Sequence, residues 1–226
     1  MASTPRPLLL DFGGVVLKTP FELKPQAEKA LGPLDWAGPF DPDNDQQWTD
    51  YQQGRSTERE FWAARAKSYG HTTSSFMELF YTPAGDHLVR DELVDLIDQQ
   101  HSASGLVGLL TNDLQAFHGP EWMNSISVLS RFDFIVDGSI TGVLKPDKRA
   151  YQFAIDEFSK LPGFGDATDI VFLDDQQVNF AGATELGIET IWFDPTNVAD
   201  SITRTTTALS RTTPPSTAPR GINGAL

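Results

Sequence analysis

Leu8-Leu9-Leu10-Asp11-Phe12-Gly13-Gly14-Val15 is an unbroken apolar run that ends in a carboxylate followed by two glycines. Continuous apolar runs, rather than alternating ones, mark strands covered on both faces of a parallel sheet. In an open parallel sheet, ligands gather at the carboxyl ends of the strands, and glycines there let backbone N–H groups come close to an anion. Asp11 therefore either sits in a site or merely begins a turn whose glycines supply positive φ. The rest of the chain has to decide between the two.

Pro7 to Asp11 is the first of five such runs; the others are Val107 to Thr111, Phe132 to Val136, Ile170 to Asp174 and Glu189 to Phe193. Helical stretches separate the later ones, Lys148 to Phe158 and Asn179 to Leu186, the second stopped by Gly187. This βαβ repetition predicts an α/β fold with a central parallel sheet. Residues 16–104 carry almost no strand signal and are too many for a loop. Thr57 and Glu60 form a capping box ahead of Phe61, Trp62, Ala66 and Tyr69 on one helical face. Val89, Leu93, Leu96 and Ile97 make a second stripe, with Asp86 as its expected N-cap. We expect an all-helical insert over 16–104, within a core built from 1–15 and 105–200. Residues 201–226 hold seven Thr, three Ser, three Pro, three Arg and no acidic residue, and are expected to bury little and to be mobile or draped over the acidic body.

With 226 residues, 39% of them hydrophobic and 21% charged, the chain has enough apolar surface for a real core. Its net charge of -14 repels nucleic acid phosphates and anionic lipid, so neither nucleic acid nor membrane is an expected partner. An anionic small substrate would need local neutralisation, most simply by a divalent metal and a lysine. The absence of cysteine excludes disulfides, thiolate metal sites and cysteine nucleophiles, and fits a reducing compartment. No run approaches the roughly 20 apolar residues of a spanning helix, and Met1 to Pro7 lacks a secretory pattern, so a cytoplasmic monomer or homodimer is expected.

Three more strand ends bear on Asp11. The second strand ends Leu109-Leu110-Thr111-Asn112, the fourth ends Phe172-Leu173-Asp174-Asp175, and Lys145 follows Gly142 in Thr-Gly-Val-Leu-Lys-Pro ahead of a helix. A hydroxyl, a lysine and a carboxylate pair thus arrive where the sheet would present them to Asp11. In these four motifs and their order, the sequence resembles the haloacid dehalogenase superfamily, specifically its phosphatase-like members with a helical cap of the C1 type after the first strand. The likeness runs from Leu8 to about Asp194 and implies strand order 3-2-1-4-5, with the insert as the cap.

The resemblance implies phosphoryl transfer to Asp11 as nucleophile, which divides one difficult displacement into two easier ones. Mg²⁺ would be held by Asp11, the backbone carbonyl of Gly13 and Asp175, with Asp174 direct or through water. Lys145 and Thr111 would stabilise the transferring phosphoryl oxygens, and backbone N–H groups near Phe12, Gly13, Gly14 and Asn112 would complete the cradle. Asn179 is read as structural support. Arg55, in the loop before the Thr57 helix, either contacts substrate or is solvated surface. Trp36, Trp48 and Trp62 are read as cap core or cap packing rather than a sugar platform. The four histidines have no metal-ligand spacing.

One position departs from the family pattern. Many relatives carry a second Asp two residues beyond the nucleophile as general acid and base, and this chain has Gly13. Such an enzyme is expected to favour phosphate esters with an acidic leaving oxygen, such as an anomeric sugar hydroxyl. The first functional expectation is a Mg²⁺-dependent phosphatase of a small phosphorylated metabolite. The second is a metal-free 2-haloacid dehalogenase, disfavoured by Gly13 and by the Asp174–Asp175 pair. The third is a catalytically weak phosphometabolite-binding module, disfavoured by the retention of Asp11.

Overall fold

Five apolar runs assemble side by side in the computed structural model, which describes residues 5–211. They form β1 (Leu8–Leu10), β2 (Val107–Thr111), β3 (Phe134–Asp137), β4 (Val171–Asp174) and β5 (Glu189–Trp192). All neighbours are parallel, in the order β3-β2-β1-β4-β5. This is the α/β architecture and strand order expected from the sequence. β1 lies between β2 and β4, with Leu10 level with Leu109 and Leu173, so the ends of the three strands open on one edge of the sheet.

Successive side chains of each strand point to opposite faces, and here both faces are covered. Leu9, Leu110 and Phe172 pack in one cluster with Ala150, Tyr151, Ala154 and Phe158. Leu8, Leu10, Leu109 and Leu173 belong to the cluster on the other face. That is why the runs are continuous rather than alternating.

The described segment between β1 and β2 contains no strand, only short 3₁₀ turns and α1 (Lys24–Leu31), α2 (Gln46–Gln52), α3 (Glu58–Ser68), α4 (Thr73–Glu78) and α5 (Asp91–Ser102). The Thr57–Glu60 capping box starts α3 as expected. After β2 come α6 (Leu114–Phe117), α7 (Pro120–Asn124), α8 (Gly138–Thr141), α9 (Lys148–Phe158), α10 (Phe180–Glu185) and α11 (Val198–Leu209).

Three expectations are corrected. First, α5 is not part of a separate helical module: its buried stripe of Leu93, Leu96 and Ile97 covers the sheet face beside β2 and α11. Second, Asp86 does not cap α5. The chain around Val89 is extended and bridges Leu17, and Asp86 instead accepts a hydrogen bond from the Ser127 N–H at 2.7 Å. Third, residues 201–209 are not a surface tail but most of α11, which buries Ser201, Thr205, Ala208 and Leu209. The buried Thr205 hydroxyl donates back to the Ser201 carbonyl at 2.8 Å, so this polar group enters the interior already paired. Residues 212–226 of the expected tail lie outside the described residues.

The insert's own core is aromatic. Phe21 lies edge-on to Trp36 and Trp48, with centroids 5.3 and 5.1 Å apart, and 5.6 Å from Trp62. The buried Arg65 guanidinium stacks over Trp36 and Phe61 and bonds both Asp45 carboxylate oxygens, at 2.6 and 2.7 Å. Asp45 also caps α2 through the Trp48 N–H. The tryptophans are thus core residues of the insert, as read from the sequence, although Trp48 and Trp62 also reach the cavity described next.

Candidate active site

Asp11 follows β1 directly, and its N–H donates to the Leu173 carbonyl at 2.9 Å, which keeps the end of β1 in register with β4. Lys145 arrives from the loop between α8 and α9. Its ammonium donates to Asp11 Oδ1 at 2.6 Å and to Asp174 Oδ2 at 2.7 Å, and its side chain is only 2% exposed. Asn112 fixes the lysine from behind: its Oδ1 accepts from the Lys145 N–H at 2.7 Å and its Nδ2 donates to the Lys145 carbonyl at 3.4 Å. Beyond the backbone donor that the sequence leads one to expect at Asn112, its side chain braces the lysine loop.

Asp174 and Asp175 occupy different positions. Asp174 is fully buried, and its two oxygens accept from Lys145, the Gln176 N–H and the Asn179 amide, at 2.7 to 3.1 Å. It is an anchor with little accepting capacity left, and Asn179 is the support expected of it. Asp175 turns into the cavity, where Gln176 Nε2 donates to its Oδ2 at 2.7 Å. One ligand atom each from Asp11, Asp174 and Asp175 lies within 4.8 Å of the others. Hard carboxylate oxygens gathered this closely suit Mg²⁺. The donor set fits that ion through Asp11 and Asp175 more readily than through Asp174.

Space accounts for one of the two glycines after Asp11. Gly14 has φ +81°, and a Cβ there would stand 2.5 Å from Asp175 Oδ2. Gly14→Ala should therefore cost about 1–2 kcal/mol from the left-handed backbone alone and push Asp175 aside; an unchanged urea midpoint would contradict this. Gly13 is the reverse case: it is exposed, and a Cβ there meets nothing within 4 Å. The loop itself is pinned by Arg90, whose buried guanidinium donates to the carbonyls of Val15 and Gly14 at 3.1 and 3.2 Å and pairs with Glu22 at 2.6 Å.

Asp11, Phe12, Gly13, Gly14, Thr111, Asn112, Lys145 and Asp175 line one cavity, so eight of the expected positions converge. Arg55 does not join them. It lies on the surface, paired with Asp50 (Nε to Oδ1 3.1 Å), and this corrects the substrate-contact reading in favour of solvated surface. Of the opposite wall, the sequence pointed only to the loop that begins at Tyr51; it missed Phe21, Glu58 and the pocket-facing side of Trp48 and Trp62, which the insert contributes beside Tyr51. Two polar links hold that wall to the sheet: Arg59 to Asp113, with Nε donating at 3.1 Å, and Gln52 to Gln176 at 2.8 Å. His118 also lines the cavity, stacked on Trp122 at 3.7 Å, and burial lowers its pKa to about 4, so it is neutral at pH 7.

Burial raises the Asp11 carboxyl; Lys145 opposes the shift and Asp174 adds to it. Asp175 is raised by burial and then by Asp174 and Asp11. Burial alone would lower the Lys145 pKa, but Asp11 and Asp174 outweigh it and hold the ammonium above its ordinary value. The site is an excess of negative charge held together by one lysine. Such an arrangement favours a cation or an electrophile over a bare anion beside Asp11.

Residues 8–187 match the haloacid dehalogenase-like hydrolase family, and the chain belongs to that family. Its fold is similar to the magnesium-bound structure of YfnB from Bacillus subtilis, which was described as revealing interdomain movement (TM-score 0.61, 21% identity, 85% of this chain and 88% of that one). It is also similar to an L-2-haloacid dehalogenase (TM-score 0.56, 18% identity, 85% and 87% of the two chains). Over 96 residues it is 32% identical to acyl-CoA dehydrogenase family member 10 of Mus musculus. That match covers 42% of this chain, and 8% of the length of that curated relative. Among the described residues no helix is long and apolar enough to cross a membrane.

Proposed function

We propose that this hydrolase is a Mg²⁺-dependent phosphatase of small phosphorylated metabolites, with Asp11 as the nucleophile. The observation that carries the reading is the gathering of Asp11 and Asp175 oxygens in one cavity beside a buried lysine. Mg²⁺ bound by Asp11, Asp175 and the Gly13 carbonyl would offset the charge of an incoming phosphate dianion. Asp11 attacks phosphorus and becomes phosphorylated as the P–O bond to the leaving alcohol breaks, and water then cleaves the acyl phosphate to release inorganic phosphate. Lys145 faces the transferring oxygens as a fixed point charge, held by Asp174 and Asn112. Thr111, buried at the end of β2, supplies a hydroxyl to the same oxygens.

The aromatic wall of Phe21, Trp48 and Trp62 suits a leaving group with an apolar or ring face, which a sugar also presents. The net charge of -14 leaves small molecules, rather than nucleic acid or membrane, as the partners.

A metal-free dehalogenase is the second reading, favoured by the dehalogenase among the fold neighbours. It leaves the clustering of a third carboxylate, Asp175, without a purpose. The test is phosphate release from a panel of small phosphate monoesters with Mg²⁺ or with EDTA, alongside halide release from 2-haloacids in EDTA. Phosphate release that depends on Mg²⁺, with a Mg²⁺-dependent rise in melting temperature that Asp175→Asn abolishes, is expected. Halide release in EDTA without phosphatase activity would overturn the proposal.

A further inference from the structure

Glu58 is the one carboxylate on the insert's wall of the cavity, and nothing in the four motifs accounts for it. It is the first residue of α3, yet it does not play the capping role that its position suggests; that role falls to Thr57 and Glu60. It is half-buried and lines the same cavity as Asp11 and Lys145, across from the strand ends. The opposite wall is open where relatives carry their acid/base aspartate, because Gly13 places no side chain there and has room for one.

We propose that Glu58 is the general acid and base of this enzyme, supplied by the helical insert in place of the side chain that Gly13 lacks. The assignment rests on the phosphatase reading above. In the first step Asp11 bonds to phosphorus and the P–O bond to the leaving alkoxide breaks. The Glu58 carboxyl gives its proton to that oxygen, releasing the alcohol and leaving a carboxylate. In the second step the Glu58 carboxylate takes a proton from water as the water oxygen attacks phosphorus. The bond to Asp11 breaks, inorganic phosphate leaves, and both carboxyl groups return to their starting states.

The surroundings hold this carboxyl far less readily ionised than an ordinary glutamate. Burial and the nearby negative charge of Asp11 push Glu58 up to about 7, against the opposing effect of Lys145. Asp113 and Asp174 add to the rise. The other groups whose charges act with Glu58 are Arg59, held by Asp113, and the buried phenols Tyr51 and Tyr81, together with Asp175. A carboxyl poised near neutrality can donate in one step and accept in the next. A consequence is that substrates need not carry an acidic leaving oxygen, which revises the expectation drawn from Gly13 alone.

The test compares kcat/KM on an alkyl phosphate, whose leaving alkoxide needs a proton, with that on 4-nitrophenyl phosphate, whose phenolate does not. Glu58→Gln is expected to lower the alkyl value by about 10²- to 10⁴-fold and the aryl value at least tenfold less. The basic limb of the alkyl pH profile should disappear with it. Adding Gly13→Asp to Glu58→Gln should restore alkyl turnover, because the open space at residue 13 receives the new acid. Should Glu58→Gln not fold, Glu58→Asp keeps the acid one methylene shorter and should lower only the alkyl value. Equal losses on both esters, or none on the alkyl ester, would overturn the assignment of Glu58 while leaving the phosphatase reading standing. A wild-type enzyme that releases phosphate from neither ester would fail that reading first.

Discussion

Asp11→Asn should reduce phosphate release by about 10⁴-fold or more, the scale of losing a nucleophile from a machinery whose parts act as a unit. An amide oxygen is a poor nucleophile at phosphorus, and an amide is also a weaker ligand for Mg²⁺, so both contributions of Asp11 go at once. The fold should survive. Lys145 keeps its 2.7 Å bond to Asp174, and the asparagine oxygen can still accept from the ammonium where Asp11 Oδ1 does now. One of three crowded carboxylates is removed, and with it a charge that burial disfavours. The melting temperature of Asp11→Asn without metal is therefore expected to equal or exceed that of the wild type. Activity within tenfold of wild type, in protein shown to be folded, would mean that water attacks phosphorus directly and that Asp11 is only a metal ligand.

How much of this was readable beforehand depends on the range of the interaction that carries the signal. The strands were readable because each is short, buried on both faces and therefore apolar throughout. Asp11, Thr111 and the Asp174–Asp175 pair were readable because each sits at or just beyond a strand end, and Lys145 because its Thr-Gly-Val-Leu-Lys-Pro motif precedes the α9 helix. Glu58 was not, because its role depends on how the insert folds back over the sheet. A local signal did exist: Glu58 is four residues before Trp62, so the two share a helical face, and a carboxylate on a face otherwise assigned to packing is an anomaly. α11 was obscured by its threonines, which are poor helix formers. Its stripe of Val198, Ile202, Thr205 and Leu209 nevertheless faces the core, behind an Asn197 side chain that accepts from the Asp200 N–H. Asp86 misled because a good capping residue was read without the extended chain at Val89, which the bridge to Leu17 holds.

Lys145→Ala tests the electrostatic logic of the site through stability as well as rate. The lysine is buried between Asp11 and Asp174, and Asp174 is fully buried. Removing one partner of such a cluster leaves charge buried without compensation, at a cost of about 3–5 kcal/mol. The pH dependence gives the sharper readout. Asp11, Asp175 and Glu58 keep their protons in the folded protein to higher pH than in the unfolded chain, Glu58 from its ordinary 4.5 up to about 7. Across that window the native state binds more protons than the unfolded state, so stability is fully present at the acid end and is lost as pH rises. In the wild type Lys145 limits the loss by stabilising the Asp11 and Glu58 anions. Without it the folded carboxyl pKa values should climb further, so the urea midpoint of Lys145→Ala, measured in EDTA, should fall more steeply with pH than that of the wild type. Mg²⁺ should recover part of the difference at the alkaline end, because it replaces the missing positive charge. A variant whose stability follows pH in parallel with the wild type would mean that Asp11 and Glu58 are not in electrostatic contact with Lys145, and the convergence of the strand ends on one charged pocket would have to be abandoned.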